Sequence, residues 1–218
     1  MLTLGLDQRN PPITTVLCLG AHSDDIEVGC SGTVLKLLDV ERPPSVTWVV
    51  FSGAGQRRRE AFESADAILA RAKSRDVRVH EFRDSFFPTQ LAEIKERFEE
   101  LKGAVTPDLV LTHFGGDFHQ DHRVIAELTW NTFRNHLILE YEIPKYDGDF
   151  GAPGVFVHLD EAIVRRKIEN LMMRFPTQAG KPWFTEDLFR AVLRLRGMES
   201  NAPERYAEAF YCRKLVLS

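Results

Sequence analysis

The chain has 218 residues, with 28 Lys and Arg set against 32 Asp and Glu for a formal net charge of −4, and 44% hydrophobic residues. A chain this long buries roughly 70% of the surface its unfolded form exposes, so it needs neither disulfides nor a structural metal to hold a core together. Disordered and collagen-like classes are excluded, and the near-neutral charge argues against nucleic acid as a main partner, since that calls for a basic face. The one basic cluster, Arg57 to Arg59, does not change this. The longest apolar stretches, such as residues 46–51 interrupted by Thr47, fall far short of the roughly 18 residues that a membrane-spanning helix needs, so no transmembrane segment is expected. The first fifteen residues lack a charged leader followed by an apolar segment, which predicts no secretory signal and a cytoplasmic location. Cys18, Cys30 and Cys212 are scattered and form no C-x-x-C pair, so they read as small buried apolar side chains rather than as thiolate ligands.

Taken in chain order, residues 13–19 form a short apolar run ending at Gly20, and residues 32–40 carry Val34, Leu35, Leu37 and Leu38 at helical spacing: strand, loop, helix. Residues 46–51 predict a second buried strand, stopped by Ser52-Gly53-Ala54-Gly55. A helix over 57–73 follows, with Ala61, Phe62, Ala65, Ile68 and Leu69 on one face. A third strand is expected at 77–82, a charged amphipathic helix at 90–101, and a fourth strand at 108–112 that ends at His113. Four strand–helix alternations predict an α/β, Rossmann-like fold, its mostly parallel sheet covered by helices on both faces. Beyond this the regularity weakens. A helix is expected at 120–134, a strand at 136–143, a Gly/Pro/Asp-rich loop at 144–154, helices at 161–175 and 185–198 separated by a linker at 176–182, and a closing strand at 207–217. The expected organisation is one domain over 1–218, a Rossmann-like core in 1–135 with an irregular part in 136–218 that completes the sheet and the substrate pocket.

Ligands of doubly wound sheets collect at the carboxyl ends of the strands, which directs attention to residues 20–32, 52–58, 83–89 and 113–122. The first of these holds His22, Asp24 and Asp25, and the last holds His113, Asp117, His119, Asp121 and His122. A histidine and a carboxylate three residues apart can bite one metal, while a second carboxylate beside them points at a water. His22, Asp25 and one later histidine would supply the three protein ligands and open position of a catalytic zinc. Plainer readings stand beside this one. Asp24 or Asp25 would serve as a helix cap, His119 and His122 as solvated histidines, and Gly29–Thr33 as a phosphate cradle at a helix N-terminus, although it lacks the dinucleotide fingerprint and the P-loop lysine.

Ala21-His22-Ser23-Asp24-Asp25, followed by Glu27, Gly29, Gly32 and Thr33, together with His119-Gln120-Asp121-His122-Arg123, strongly resembles the PIG-L (LmbE-like) family of zinc-dependent N-deacetylases. Supporting likenesses are Arg57-Arg58-Arg59-Glu60, Arg83-Asp84, Thr177-Gln178 and the closing Tyr206-Ala207-Glu208-Ala209-Phe210. Ser23 stands where the family usually has Pro, Ile26 where it commonly has Glu, Gln120 where it often has Pro, and His113-Phe114 in place of an upstream His-Pro. None of these departures removes a presumed ligand or base.

The resemblance implies removal of the N-acetyl group from an N-acetylglucosamine-type amino sugar or its conjugate. It implies His22, Asp25 and His122 as ligands of Zn2+, with Fe2+ the alternative that such a donor set also accepts. It further implies Asp24 as general base and His119 as the group that stabilises or protonates; on physical grounds His119 is expected to be held by Asp121 and, as imidazolium, to stabilise the oxyanion and then protonate the leaving amine. Arg57 and Asp84 are the expected sugar or leaving-group contacts. The partner is then a small or conjugated amino sugar, and homo-oligomers are an expectation because relatives are often multimers. Rival readings are a non-catalytic metal- or sugar-binding module, a hydrolase of a larger N-acyl group, and a Rossmann-type nucleotide binder, the last disfavoured by the Gly-poor first turn.

Overall fold

The computed structural model describes residue 5 and residues 12–216. Most of the stretch read for a leader, and the last residue of the expected closing strand, lie outside the described residues. Seven strands, β1 (Thr15–His22), β2 (Ser45–Ser52), β3 (Arg75–Val79), β4 (Leu109–His113), β5 (Leu137–Tyr141), β6 (Val155–Leu159) and β7 (Tyr206–Tyr211), form one sheet in the order β3-β2-β1-β4-β5-β7-β6. The first five pair in parallel, β7 runs antiparallel to β5, and β6 antiparallel to β7. Among the described residues six α-helices surround the sheet: α1 (Asp25–Leu38), α2 (Gly55–Ile68), α3 (Leu91–Ala104), α4 (Gln120–Thr132), α5 (Glu161–Arg174) and α6 (Glu186–Glu199). No helix among the described residues is long and apolar enough to cross a membrane.

The side-chain alternation of the strands explains why both faces are covered. Successive residues of a strand point to opposite faces. In β1, Val16 and Cys18 join a core with Trp48 and Val50 of β2, Val34 of α1, Ala61 and Ala65 of α2, Ile168 of α5 and Phe189 of α6. Leu17, Leu19 and Ala21 join a second core with Phe51, Ile94 and Phe98 of α3, and Val124 and Ile125 of α4. A strand with both faces dry has no polar side to show, which is why β1 and β2 read as near-continuous apolar runs, broken in β2 only by the buried Thr47.

The chain departs from its sequence expectations at four places. Helix α1 begins at Asp25, not near Gly32. Gly29–Thr33 therefore lies inside a helix and forms no phosphate cradle at its start. The two glycines serve packing: a Cβ on Gly29 would sit 2.1 Å from the Tyr141 ring, and one on Gly32 would collide with Leu159 and Glu208. β3 starts at Arg75, earlier than the apolar signal, because an edge strand tolerates the exposed Arg75 and Asp76. β6 was not expected at all. It is a five-residue edge strand directly after the irregular stretch, and its period is masked by half-exposed Val155, Phe156 and His158. The closing strand β7 stops at Tyr211.

β2 lies on one side of β1 and β4 on the other. The connections leaving these strands diverge there, and the crevice at the carboxyl ends of β1 and β4 is the place where a doubly wound sheet binds its ligand.

Candidate active site

His22, Asp24, Asp25, Arg57, Asp84, His119, Asp121 and His122 all stand at that crevice. His22 is the last residue of β1, Asp24 the N-cap of α1 and Asp25 its first residue. His119 is the N-cap of α4, with Asp121 and His122 in its first turn. Arg57 stands in the first turn of α2, and Asp84 in the connection after β3.

At the centre, three donor atoms form a near-equilateral triangle. His22 Nδ1 lies 3.3 Å from Asp25 Oδ2 and 3.3 Å from His122 Nε2, and the Asp25 Oδ2 to His122 Nε2 separation is 3.5 Å. Ligands held at about 2.0–2.1 Å around a tetrahedral cation stand about 3.3–3.4 Å apart, so this donor set fits one divalent ion. Two nitrogens and a carboxylate oxygen are the chemistry that zinc or ferrous iron takes. His22, Asp25 and His122 are also a group whose donor atoms all lie within 4.8 Å of one another.

The electrostatics point the same way. Burial raises the Asp25 carboxyl, but His122, His22 and His113 around it hold it well below the usual carboxylate range. Burial lowers His22, yet Asp25, Asp121 and Asp84 hold it well above the ordinary imidazole value. The carboxylates of Asp25, Asp84 and Asp121 thus place a negative field around His22. His122 is pushed down to about 3 by burial and by His113, which leaves it neutral and able to present a lone pair.

Both histidines of the triangle are gripped at their other nitrogen, as ligand imidazoles commonly are. His22 Nε2 faces Asp121 Oδ2 and Asp84 Oδ1, each at 3.2 Å. His122 Nδ1 lies 2.9 Å from Asp117 Oδ2. Asp117 had no expected role; its only sequence signal was that it is the first acid of a His- and Asp-rich loop.

Asp24 sits apart from the triangle. Its Oδ1 accepts from Arg57 Nη2 at 2.5 Å, and its Oδ2 is buried with no partner. The carboxylate makes no capping bond, so the helix-cap reading fails for this residue. Arg57 Nη1 also donates to Thr177 Oγ1 at 3.3 Å, and Thr177 is fixed by Glu60. This ties α2 and the turn after α5 to the same carboxylate. Gln178 is buried beside Thr177, whereas Trp183 packs against Phe184 at the core edge.

Asp121 behaves differently from expectation. Its carboxylate accepts from the Ser85 and Phe87 backbone N–H groups at 2.6 and 3.1 Å and faces His22. It does not hold the His119 ring. The contact with His119 runs through the backbone, Asp121 N–H donating to His119 Nδ1 at 3.3 Å, because the first turn of α4 aims the Asp121 side chain at the segment after β3. The His119 ring stands edge-on to His22 and stacked on His122, with centroids 4.9 and 4.6 Å away. Burial, and then the neighbouring His22, push His119 below the ordinary imidazole value. His113 is fully buried under the site, its Nε2 accepting Ala21 N–H at 2.9 Å and lying 3.2 Å from Asp25 Oδ2. Glu27 points the other way, bonded by Ser64 of α2 and pushed up to about 8 by burial.

Solved structures share this architecture. The N,N'-diacetylchitobiose deacetylase of Pyrococcus horikoshii, in complex with its inhibitor, aligns at TM-score 0.65 and 19% identity, over 95% of this chain and 86% of its own. A zinc-inhibited teicoplanin deacetylase aligns at TM-score 0.69 and 14% identity, over 91% and 97%. GalB, the 4-carboxy-2-hydroxymuconate hydratase of Pseudomonas putida KT2440, aligns at TM-score 0.70 and 15% identity, over 94% and 98%. At these identities the likeness shows the fold alone, and the hydratase illustrates that one such fold hosts more than one chemistry. No curated protein matches the chain. The family profile of the GlcNAc-PI de-N-acetylases matches residues 17–133, a stretch that holds most of β1, all of β4 and both halves of the His/Asp site, and the chain belongs to this PIG-L family.

Proposed function

We propose that the protein is a metal-dependent hydrolase that removes the N-acetyl group from an N-acetylglucosamine-type amino sugar or its conjugate, with His22, Asp25 and His122 holding Zn2+. One observation carries the reading: a donor triangle of cation-binding size stands beside a buried carboxylate, Asp24, that keeps one oxygen free of any partner. A module that only bound metal would have no use for such an oxygen, and leaving it desolvated costs stability. The family membership and the deacetylases among the structural neighbours support the same reaction class.

A divalent cation in the triangle supplies Lewis acidity, polarising an amide carbonyl and acidifying water at neutral pH. Asp24 Oδ2 takes the proton from the attacking water, while Arg57 fixes Oδ1 and keeps the carboxylate from turning away. The same proton then passes to the amine nitrogen as the C–N bond breaks, so acetate and a free amino sugar leave. His119 accepts Asp121 N–H at Nδ1. Its neutral tautomer therefore carries hydrogen on Nε2 and donates to the developing oxyanion without being charged. Asp84, with its side chain 68% exposed and in contact with His22, is the group on the rim that meets a sugar hydroxyl.

The test is acetate release from free, nucleotide-linked and lipid-linked N-acetylglucosamine. Activity that a chelator removes and Zn2+ restores is expected with at least one of them. Release that survives complete metal removal, or cleavage confined to longer N-acyl groups, would count against the proposal.

A further inference from the structure

We infer that Asp117 is a positioning residue for His122 and that Lys145, carried by the segment between β5 and β6, attenuates it, so that this pair sets the affinity of the site for a divalent cation. The inference rests on the metal reading above and concerns residues outside the donor triangle.

A carboxylate can only accept, so Asp117 Oδ2, 2.9 Å from His122 Nδ1, receives the ring N–H. That bond fixes the tautomer and leaves the Nε2 lone pair aimed at His22 and Asp25. Asp117 is itself held without slack: it is buried, its Oδ1 accepts from His119 N–H at 2.7 Å, and its own N–H donates to the Phe114 carbonyl at 3.1 Å.

Lys145 reaches the same oxygen. Its Nζ donates to Asp117 Oδ2 at 2.9 Å and to Asp149 at 2.5 Å, and the side chain is only 10% exposed, which sets it apart from a solvated lysine. Asp149 in turn accepts from Phe118 N–H at 2.7 Å, and Arg196 holds the Gly151 carbonyl at 3.2 Å. The irregular segment is thus docked against the site at one end and tied to α6 at the other.

Two consequences of removing Lys145 oppose each other. Losing a hydrogen bond loosens Asp117, which would weaken cation binding. Losing a positive charge one carboxylate away from a ligand imidazole removes repulsion and returns the full negative charge of Asp117 to His122, which would strengthen it. Asp117 keeps its bonds to His122, His119 and Phe114 without the lysine, so the charge effect wins. Asp117 and Lys145 therefore change the affinity in opposite directions, an outcome that a shared structural role would not give.

The experiment is a Zn2+ titration of the metal-stripped full-length protein against a chromophoric chelator, with Co2+ absorption as a report of ligand geometry. Asp117→Ala is expected to weaken Zn2+ binding about 10- to 100-fold and to alter the Co2+ spectrum, and Asp117→Asn, which keeps an acceptor, to weaken it less. Lys145→Met is expected to tighten binding about three- to tenfold by the Coulomb effect, Lys145→Arg to restore the wild-type constant, and Tyr146→Ala, in the same segment, to leave it unchanged. Wild-type affinity in both Asp117 variants, or weakening in Lys145→Met, overturns the inference. If His122→Ala also binds Zn2+ as tightly as the wild type, the metal reading itself has failed; if His122→Ala loses Zn2+ while Asp117→Ala does not, only this inference has.

Discussion

Helix α1 carries two buried ionic clusters, one at its N-terminus and one at its middle, and they are built on opposite principles. At the middle, Lys167 of α5 and Glu208 of β7 pair at 2.6 Å, each only 2% exposed. Lys167 also donates to the Val28 carbonyl, and Glu208 accepts from Gly32 N–H, Thr33 N–H and the Thr33 hydroxyl. One positive charge meets one negative charge, both Glu208 oxygens are used, and neither residue is left without a partner. At the N-terminus, the acids Asp24, Asp25, Asp84, Asp117 and Asp121 surround four histidines, His22, His113, His119 and His122, a carboxylate oxygen is orphaned, and the carboxylates hold His22 above the ordinary imidazole value against its burial. Buried charge that is fully paired specifies how elements dock. Buried charge that is left unbalanced is poised for a ligand and a proton.

The variants that sharpen this contrast differ in what they damage. The largest effect is expected for His122→Ala, which should abolish both metal binding and acetate release while leaving the unfolding midpoint of the metal-free protein close to wild type; a large loss of that midpoint would make His122 structural. Glu208→Ala should do the reverse. It strands Lys167 in the core and should cost about 3–5 kcal/mol in chemical denaturation, with metal binding intact in the folded fraction. An unchanged midpoint would mean that the paired cluster does not hold α1 in place. Gly29→Ala forces a methyl into the Tyr141 ring and should cost about 1–3 kcal/mol, again read from denaturation. The smallest effect is expected for Arg57→Lys, which keeps the charge beside Asp24 but loses the second bond of the fork to Thr177. It should lower kcat about tenfold, at the low end of the range for acid–base groups, with zinc content unchanged, and a lost metal would contradict the placement of Arg57 outside the donor set.

The unbalanced cluster was largely legible in the sequence and the balanced one was not, for a physical reason. Polar residues clustered where strands give way to helices contrast with the apolar runs beside them, which makes His22, Asp24, Asp25, His119 and His122 conspicuous. Lys167 and Glu208 each sit in an ordinary amphipathic element, 41 residues apart, and nothing local signals that they meet. Gly29 and Gly32 suggested a phosphate loop because glycine has two uses, free backbone torsion and close approach, and only the packing of Tyr141 and Glu208 tells them apart. The parallel core read correctly because β1, β2 and β4 are dry on both faces. β6 escaped because an edge strand of five residues after a Gly/Pro-rich segment has little periodicity to display. Lys145 escaped because its partner, Asp117, lies 28 residues away in another loop.

The most direct test of the account is the zinc content and acetate release of one variant, Asp24→Asn, measured on the same preparation. Asparagine keeps the shape of the side chain and its contact with Arg57 but takes no proton from water. The expected result is a full complement of zinc with kcat reduced about 10²- to 10⁴-fold, the usual contribution of a general base. Wild-type turnover with zinc bound, or loss of zinc along with activity, would contradict the division between a metal triangle and a separate base with one free oxygen.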